Sequence, residues 1–541
     1  MNRRKALKTL GSGALLTGAA PFIITSKKGA ALADDTPSVV PATVIGPPTA
    51  PFAAPLPLPA VKTPIKALDP APVTSGFQFY KDYPAKELYS VDVKEGLHSF
   101  HPKLPLNKIW GYDGTFPGST FKAHYGKPMI VRHHNKLPVD HKGFGRNNII
   151  THLHNGHTGS ESDGFTTEFY PPGKYKDHHY AHMLSGGDPN EALGTLWYHD
   201  HLVDFTAPNT YKGLAGMFLL FDEVDSGDET DSNPRALRLP SGEYDVPLAL
   251  ADKQFDADGA LVFDQTDMNG FVGDRFTVNG AIQPYFKVAR RKYRFRILDA
   301  GPARWYGLQF NNGMSFQLVA TDGNLLEAPL VMDKLLIAPS ERYDIIIDFS
   351  QYKIGDQIVL QNNVDQIDGR GPLGTLLDPI PLIRFDVDRN AANDPSVVPA
   401  KLREMPQMRP VVQTREWNFS NVDGAWTVNG ELFDPERVDA VVKVNTAEYW
   451  DITSFGDWAH PIHIHREEFR IISRGDGHPV PPEEQGRKDT IKLMPFNETG
   501  LGFSASARIY LDFRDMKGRY MMHCHNTIHE DHAMMVRFDV V

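Results

Sequence analysis

The chain has 541 residues, a formal net charge of −11, 41% hydrophobic residues and one cysteine. An acidic balance suits neither nucleic acid nor an anionic membrane surface, so neither is expected as a partner. A single cysteine rules out an intramolecular disulfide, so stability must come from hydrophobic cores, for which this length is ample.

The sequence opens Met1-Asn2-Arg3-Arg4-Lys5, continues through a moderately apolar run from Leu10 to Ile24, and reaches Ala31-Leu32-Ala33 before Asp34. That run is too short and too rich in Gly and Ala for a membrane span. A basic start, an apolar middle and an A-x-A end are the order of an export signal, here of the twin-arginine type. Residues 1–33 are therefore expected to be cleaved, leaving a periplasmic or secreted protein. Cleavage removes six Lys/Arg and no acids, taking the charge from −11 to −17. Pro37 to Pro72 contains 11 prolines, a composition that favours extended backbone. Residues 34–75 are read as an arm or linker, its first half expected to be disordered and its part from about Pro55 to Ala67 to lie over the folded body.

Beyond Phe77 the chain shows short β-branched and aromatic runs broken by Gly, Pro, Asn and Asp, with little helical periodicity. This predicts an all-β protein of antiparallel Greek-key sandwiches. A weak threefold repeat, WGYDGTFPGS (110–119), TVNGAIQPYF (277–286) and TVNGELFDPE (427–436), places a Gly turn early in each of three candidate domains. Polar, turn-rich stretches near 225–240 and 390–410 suggest the divisions 76–230, 231–398 and 399–541.

Histidines form H-x-H pairs at His152/His154, His199/His201, His463/His465 and His523/His525, and none lies between His201 and His460. On a strand, alternate side chains share a face, so each pair presents two imidazoles to one side. The middle domain has no imidazole to offer, and a shared site must form where the first and third domains meet. Cys524 sits between His523 and His525 and takes the opposite face, so one strand can serve two metal sites back to back. His529 and Met534 follow at positions suited to a second imidazole and an axial thioether, and His460 supplies the other imidazole. Thiolate, two imidazoles and a weak thioether are the ligands of a blue copper centre. Eight further imidazoles suit three copper ions taking two, three and three.

These motifs, together with WGYDGTFPGST (110–120), TVNGAIQPYFKV (277–288), YRFRILDAG (293–301) and PSERYDIIIDF (339–349), resemble the multicopper oxidases. The likeness is to the three-domain branch of bacterial spore-coat laccases and bilirubin oxidases, from about Pro55 to the C-terminus. The resemblance implies three cupredoxin-like domains and four copper ions. A type 1 copper would be held by His460, Cys524, His529 and axial Met534, with Met535 a rival that family spacing disfavours. His152 and His463 would hold the type 2 copper, with His154, His199 and His525 as one type 3 set and His201, His465 and His523 as the other. Glu530 and Asp163 match acids that relay protons to the cluster.

Asp200 alternates away from the cluster, and His532 is left out. His133, His134, His178, His179 and His182 are read as loop or surface residues. Trp458 and the loop Gly475 to Gln485 are candidates to line the substrate pocket. The implied activity is laccase-like: one-electron oxidation of phenols or aromatic amines coupled to reduction of O2 to water by a monomeric enzyme. Cuprous or ferrous oxidation, bilirubin oxidase-like activity and a non-enzymatic copper-binding role are the competing readings. The 15 methionines are scattered, with no Met-rich insertion to gather cuprous ion.

Overall fold

The computed structural model describes residues 46–494 and 504–541. The expected export signal at 1–33 and the start of the proline-rich stretch lie outside the described residues. Alternation in the sequence becomes alternation in burial. In the strand Glu87–His98, Tyr89, Val91 and Val93 point inward, and in Thr446–Ser454, Trp450 and Ile452 do the same. The described strands form six sheets that fall into three pairs along the chain. Two four-stranded sheets use strands between 87 and 221, an eight- and a five-stranded sheet those between 245 and 390, and a six- and a five-stranded sheet those between 411 and 540.

Each pair encloses a core. Val91, Tyr112 and Phe218 lie in the first, Phe295, Ile345 and Phe385 in the second, and Trp417, Trp450 and Phe538 in the third. The protein is thus all-β, built as three cupredoxin-like Greek-key sandwiches.

The three sandwiches share a wiring detail. Glu87–His98 pairs in parallel with Met129–Asn135, Asp245–Phe255 with Lys292–Asp299, and Val411–Val422 with Thr446–Ser454. The antiparallel neighbour of each first strand ends in one unit of the sequence repeat. There Asp113-Gly114, Asn279-Gly280 and Asn429-Gly430 all have positive φ, between 49° and 79°. Two consecutive residues in that region are what a tight hairpin turn needs, and Asn, Asp and Gly adopt it at least cost.

The proline-rich arm bridges two sandwiches, and it joins the folded body earlier than expected, at Phe52 in the half read as disordered. Phe52 and Leu56 donate backbone N–H groups to Gln283 and Tyr285, Lys62 donates to Thr120, and Ile65 donates to Leu88, each at 2.7–2.8 Å. Among the described residues no helix is long and apolar enough to cross a membrane.

Two further expectations need correction. The strand expected to carry both His523 and His525 runs Gly518–Cys524, so His525 lies just beyond its end, as His201 and His465 lie just beyond theirs. His133, His178 and His179 are buried on strands rather than on loops or the surface, and His182, in the loop after the strand Tyr175–Tyr180, is buried as well. His133 and His178 face each other across paired strands with their Nδ1 atoms 3.2 Å apart. Of two adjacent strand residues one must point inward, as His133 does beside half-buried His134. His179 is buried too because Ser162 of the short helix Ser160–Asp163, Phe77 and Tyr80 cover its face.

Candidate metal centres

Strand register brings the motifs together. Thr151–His154 pairs with Thr195–Asp200 so that His152 lies opposite His199. In the third sandwich His460–Ile464 pairs with Gly518–Cys524, which sets His463 opposite His523 and Ile462 opposite Cys524. All ten of the histidines read as ligands are buried, none more than 2% exposed. Buried imidazoles are held neutral by desolvation, and His152, His154, His463, His465 and His525 are driven well below the ordinary histidine range for that reason first.

Three Nε2 atoms converge. Those of His201, His465 and His523 lie 3.1–3.3 Å from one another. Their other nitrogens face acids: His465 Nδ1 donates to Asp163 Oδ2 at 2.8 Å, His523 Nδ1 is 3.1 Å from Glu530 Oε2, and His201 Nδ1 is 3.4 Å from Glu530 Oε1. A proton on each Nδ1 leaves three lone pairs aimed at one point. Three such lone pairs are a ready-made site for a metal cation.

His154, His199 and His525 form a second convergent group. His199 Nδ1 donates to the Asp200 carbonyl at 2.8 Å, and its Nε2 has no partner. His152 and His463 complete the cluster from opposite sandwiches, with ring centroids 5.9 Å apart. Each donates Nδ1–H to a backbone carbonyl, His152 to Asp163 at 2.5 Å and His463 to Asp489 at 2.9 Å, and each leaves Nε2 without a partner. Eight imidazoles with orphaned or mutually facing nitrogens are a fitting donor set for several copper ions.

On the opposite face of the strand, Cys524 Sγ lies 3.3 Å from His460 Nδ1 and 3.6 Å from His529 Nδ1, and the two Nδ1 atoms are 3.1 Å apart. Burial pushes the Cys524 thiol up, so a thiolate there needs a cation beside it. Met534 packs in the same apolar cluster as Cys524, whereas Met535 packs elsewhere against Phe165 and Met521. That division separates the two candidates for the axial position. Asp200 accepts from Ile150 N–H and Asn209, facing away from the histidines as alternation required. His532 Nδ1 donates to the Ile528 carbonyl.

His529 and Glu530 sit side by side on the short helix Thr527–Asp531 and turn opposite ways, His529 to Cys524 and Glu530 to His523 and His201. Thr206 Oγ1 donates to Glu530 Oε1 at 2.6 Å. Asp163 is raised well above the usual carboxylate range by burial. Beyond Cys524, His529 Nε2 donates to the Asn269 carbonyl at 2.9 Å. Half-buried Trp458 donates its Nε1–H to Asn269 Oδ1 at 3.0 Å. In the candidate loop Gly475 to Gln485, Glu484 is buried in ion pairs with Arg474 and Lys492.

Several contributors carry no motif. Trp197 is stacked on His199 with centroids 4.3 Å apart and also lies near His154 and His525. Trp426 covers His529, and Asp489 contacts two cluster histidines. The tryptophans flank ligands in three dimensions more closely than sequence spacing reveals.

Sequence models of one family, described as multicopper oxidase, match residues 93–225, 247–370 and 398–541. The chain is 36% identical over 546 residues to a bilirubin oxidase of Albifimbria verrucaria, covering 96% of this chain and 88% of that protein. It is 31% identical to a laccase of Bacillus subtilis (strain 168), covering 88% and 98%. Among solved structures, the McoA multicopper oxidase of Aquifex aeolicus superposes with a TM-score of 0.72 at 25% identity, covering 90% of this chain and 99% of that one. A laccase from Pediococcus acidilactici superposes at 0.73, with 24% identity over 92% and 95%.

Proposed function

The chain belongs to the multicopper oxidases, oxidoreductases that carry copper and use O2 as acceptor, and we propose that it is a laccase-like member that takes single electrons from phenols or aromatic amines. Its working form carries four copper ions. His460, Cys524, His529 and Met534 hold the type 1 ion, and His152 and His463 the type 2 ion. His154, His199 and His525 hold one type 3 ion, and His201, His465 and His523 the other. When bound, the copper ions supply one-electron redox steps and the storage of four electrons for reduction of O2 to water.

The observation that carries this reading is the back-to-back placement on one strand of Cys524, 3.3 Å from His460 Nδ1, and His523, 3.1 Å from His465 Nε2. Cys524 is covalently continuous with His523 and His525, which gives a through-bond path between the two ligand sets. Glu530 and Asp163 each touch the outward nitrogen of a cluster imidazole, where they are placed to pass protons toward the site of O2 reduction. Trp458 offers a partly exposed aromatic face two residues from His460, one hydrogen-bonded residue from His529. An electron-rich ring can stack there.

The same reading makes the protein an exported monomer, cleaved after residue 33 and divided near residues 230 and 398. The paired arginines and the A-x-A site support the export and cleavage, and the polar stretches support the divisions.

Oxygen uptake by the copper-loaded, signal-cleaved protein tests the function, with a methoxyphenol in one cell and cuprous ion in another, each beside Cys524→Ser. Uptake with the phenol that disappears in the variant is the expected result. Uptake with cuprous ion alone would move the protein to metal oxidation, and no uptake with either would sink the oxidase reading.

A further inference from the structure

The middle sandwich contributes no histidine to the cluster, yet one of its arginines reaches it. Arg342, the first residue of the strand Arg342–Asp348, extends a buried guanidinium to Asp489. Nη1 donates to Oδ1 at 2.9 Å and Nη2 to Oδ2 at 2.6 Å, a two-pronged charge-assisted pair with both partners fully buried. Asp489 in turn accepts from His154 Nε2–H through its side chain at 3.0 Å and from His463 Nδ1–H through its backbone carbonyl at 2.9 Å. One residue therefore orients an imidazole from the first sandwich and another from the third.

Its own backbone is held as firmly. The N–H groups of Asp489 and Thr490 donate to Asp322 Oδ2 at 2.9 and 3.2 Å, and Lys488 Nζ pairs with the same oxygen at 3.1 Å. Asp322 is another middle-sandwich residue, in the turn after the strand Phe316–Thr321.

His154 is set apart by this contact. His152, His199, His463 and His465 spend Nδ1 on an oxygen acceptor and leave Nε2 for a metal. His154 spends Nε2 on Asp489, and its Nδ1 is the nitrogen without a partner. The partner on one ring nitrogen fixes which nitrogen carries the lone pair.

We propose that Asp489, clamped by Arg342 and Asp322, is a positioning residue for the copper cluster that fixes His154 to bind through Nδ1 while holding His463 in register. This rests on the assignment of His154 and His463 to the cluster. The middle sandwich then acts as the outer brace of a site whose ligands all come from the other two. The arginine fork is essential to it, because a lysine supplies the charge but cannot grip both carboxylate oxygens in one plane.

The test uses the full copper-loaded chain as wild type, Asp489→Ala and Arg342→Lys. Copper per chain, the blue thiolate-copper absorbance and the near-ultraviolet absorbance of the coupled copper pair are read together. A wild type that lacks the near-ultraviolet band fails the cluster assignment itself, which keeps that failure distinct. The expected result is a blue band retained in both variants, with cluster copper bound roughly 10–100-fold more weakly, as for loss of an outer partner of a metal-ligating histidine. A full copper complement and an unchanged near-ultraviolet band in Asp489→Ala would overturn the proposal. Should Asp489→Ala give no blue protein, Arg342→Lys decides: selective loss of cluster copper supports the clamp, and an intact cluster overturns it.

Discussion

The indole of Trp426 lies over the imidazole of His529, with centroids 3.8 Å apart and planes 32° from parallel. Trp426 is fully buried, and its Nε1–H donates to the Met268 carbonyl at 3.0 Å, so one ring both backs a proposed ligand and anchors a middle-sandwich loop. Trp426→Ala opens a cavity beside His529. It should cost about 3–5 kcal/mol of stability and weaken the blue absorbance, since His529 would gain room to leave Cys524. Thermal unfolding of the copper-loaded variant and its visible spectrum check both parts. An unchanged spectrum at reduced stability would reduce Trp426 to a packing residue.

Glu530→Gln keeps the size of the side chain and an oxygen for the Thr206 hydroxyl, bound at 2.6 Å, but removes the capacity to carry a proton. Oxygen uptake at saturating phenol should fall by roughly 10²–10⁴-fold, the range for a general acid–base group. Anaerobic bleaching of the blue colour by the same phenol should keep its wild-type rate, because that step needs no proton at the cluster. Equal slowing of both would place the defect in copper loading instead.

Sequence periodicity is enough to place Cys524 and the first histidine of each H-x-H pair on strands, because a period of two is a local property; where the strands end is not, and His201, His465 and His525 each fall one residue past the end. The repeat turns were legible for the same reason: Asp113-Gly114, Asn279-Gly280 and Asn429-Gly430 carry their positive φ in their own residue types. Contacts between distant segments were not. His154 and Asp489 are 335 residues apart, Thr206 and Glu530 324, and Arg342 and Asp489 147. With 67 acidic residues in the chain, nothing local marks Asp489 as one that meets a cluster imidazole. The burial of His133 and His178 is not legible in the sequence, because they face each other across a sheet rather than a metal, a distinction that spacing within one strand cannot carry.

Asp344 is the meeting point of a second buried charge network. Its Oδ2 accepts from Arg294 Nε and Nη2 at 3.0 and 2.6 Å, and its Oδ1 accepts from the Thr195 hydroxyl at 2.8 Å. Arg296 donates to Thr195 Oγ1 at 2.8 Å as well. Thr195 begins the strand that carries His199, so the network ties that strand to the middle sandwich. Asp344→Ala would strip a carboxylate from a buried guanidinium that retains only Asp225. The expected loss is roughly 3–5 kcal/mol, read as a fall in the midpoint of thermal unfolding. A fall no larger than that of an exposed control such as Asp451→Ala, which pairs with Arg508 at the surface, would contradict it.

Lys253 is buried beside Phe116 and Tyr211, and desolvation pushes its ammonium down to about 7 from an ordinary 10.5. Between those values the unfolded chain holds a proton that the fold does not, so stability rises with pH across the window, while below about pH 7 both states are protonated and the penalty for the buried charge is constant. Lys253→Met removes that dependence. The unfolding midpoint of the wild type relative to the variant should therefore climb from about pH 6 to about pH 9, a difference in which groups common to both proteins cancel. A flat difference would mean that Lys253 keeps its proton in the fold. The Tyr211 carbonyl at 2.6 Å and the Tyr211 ring 3.9 Å away would then suffice to hold an ammonium against desolvation.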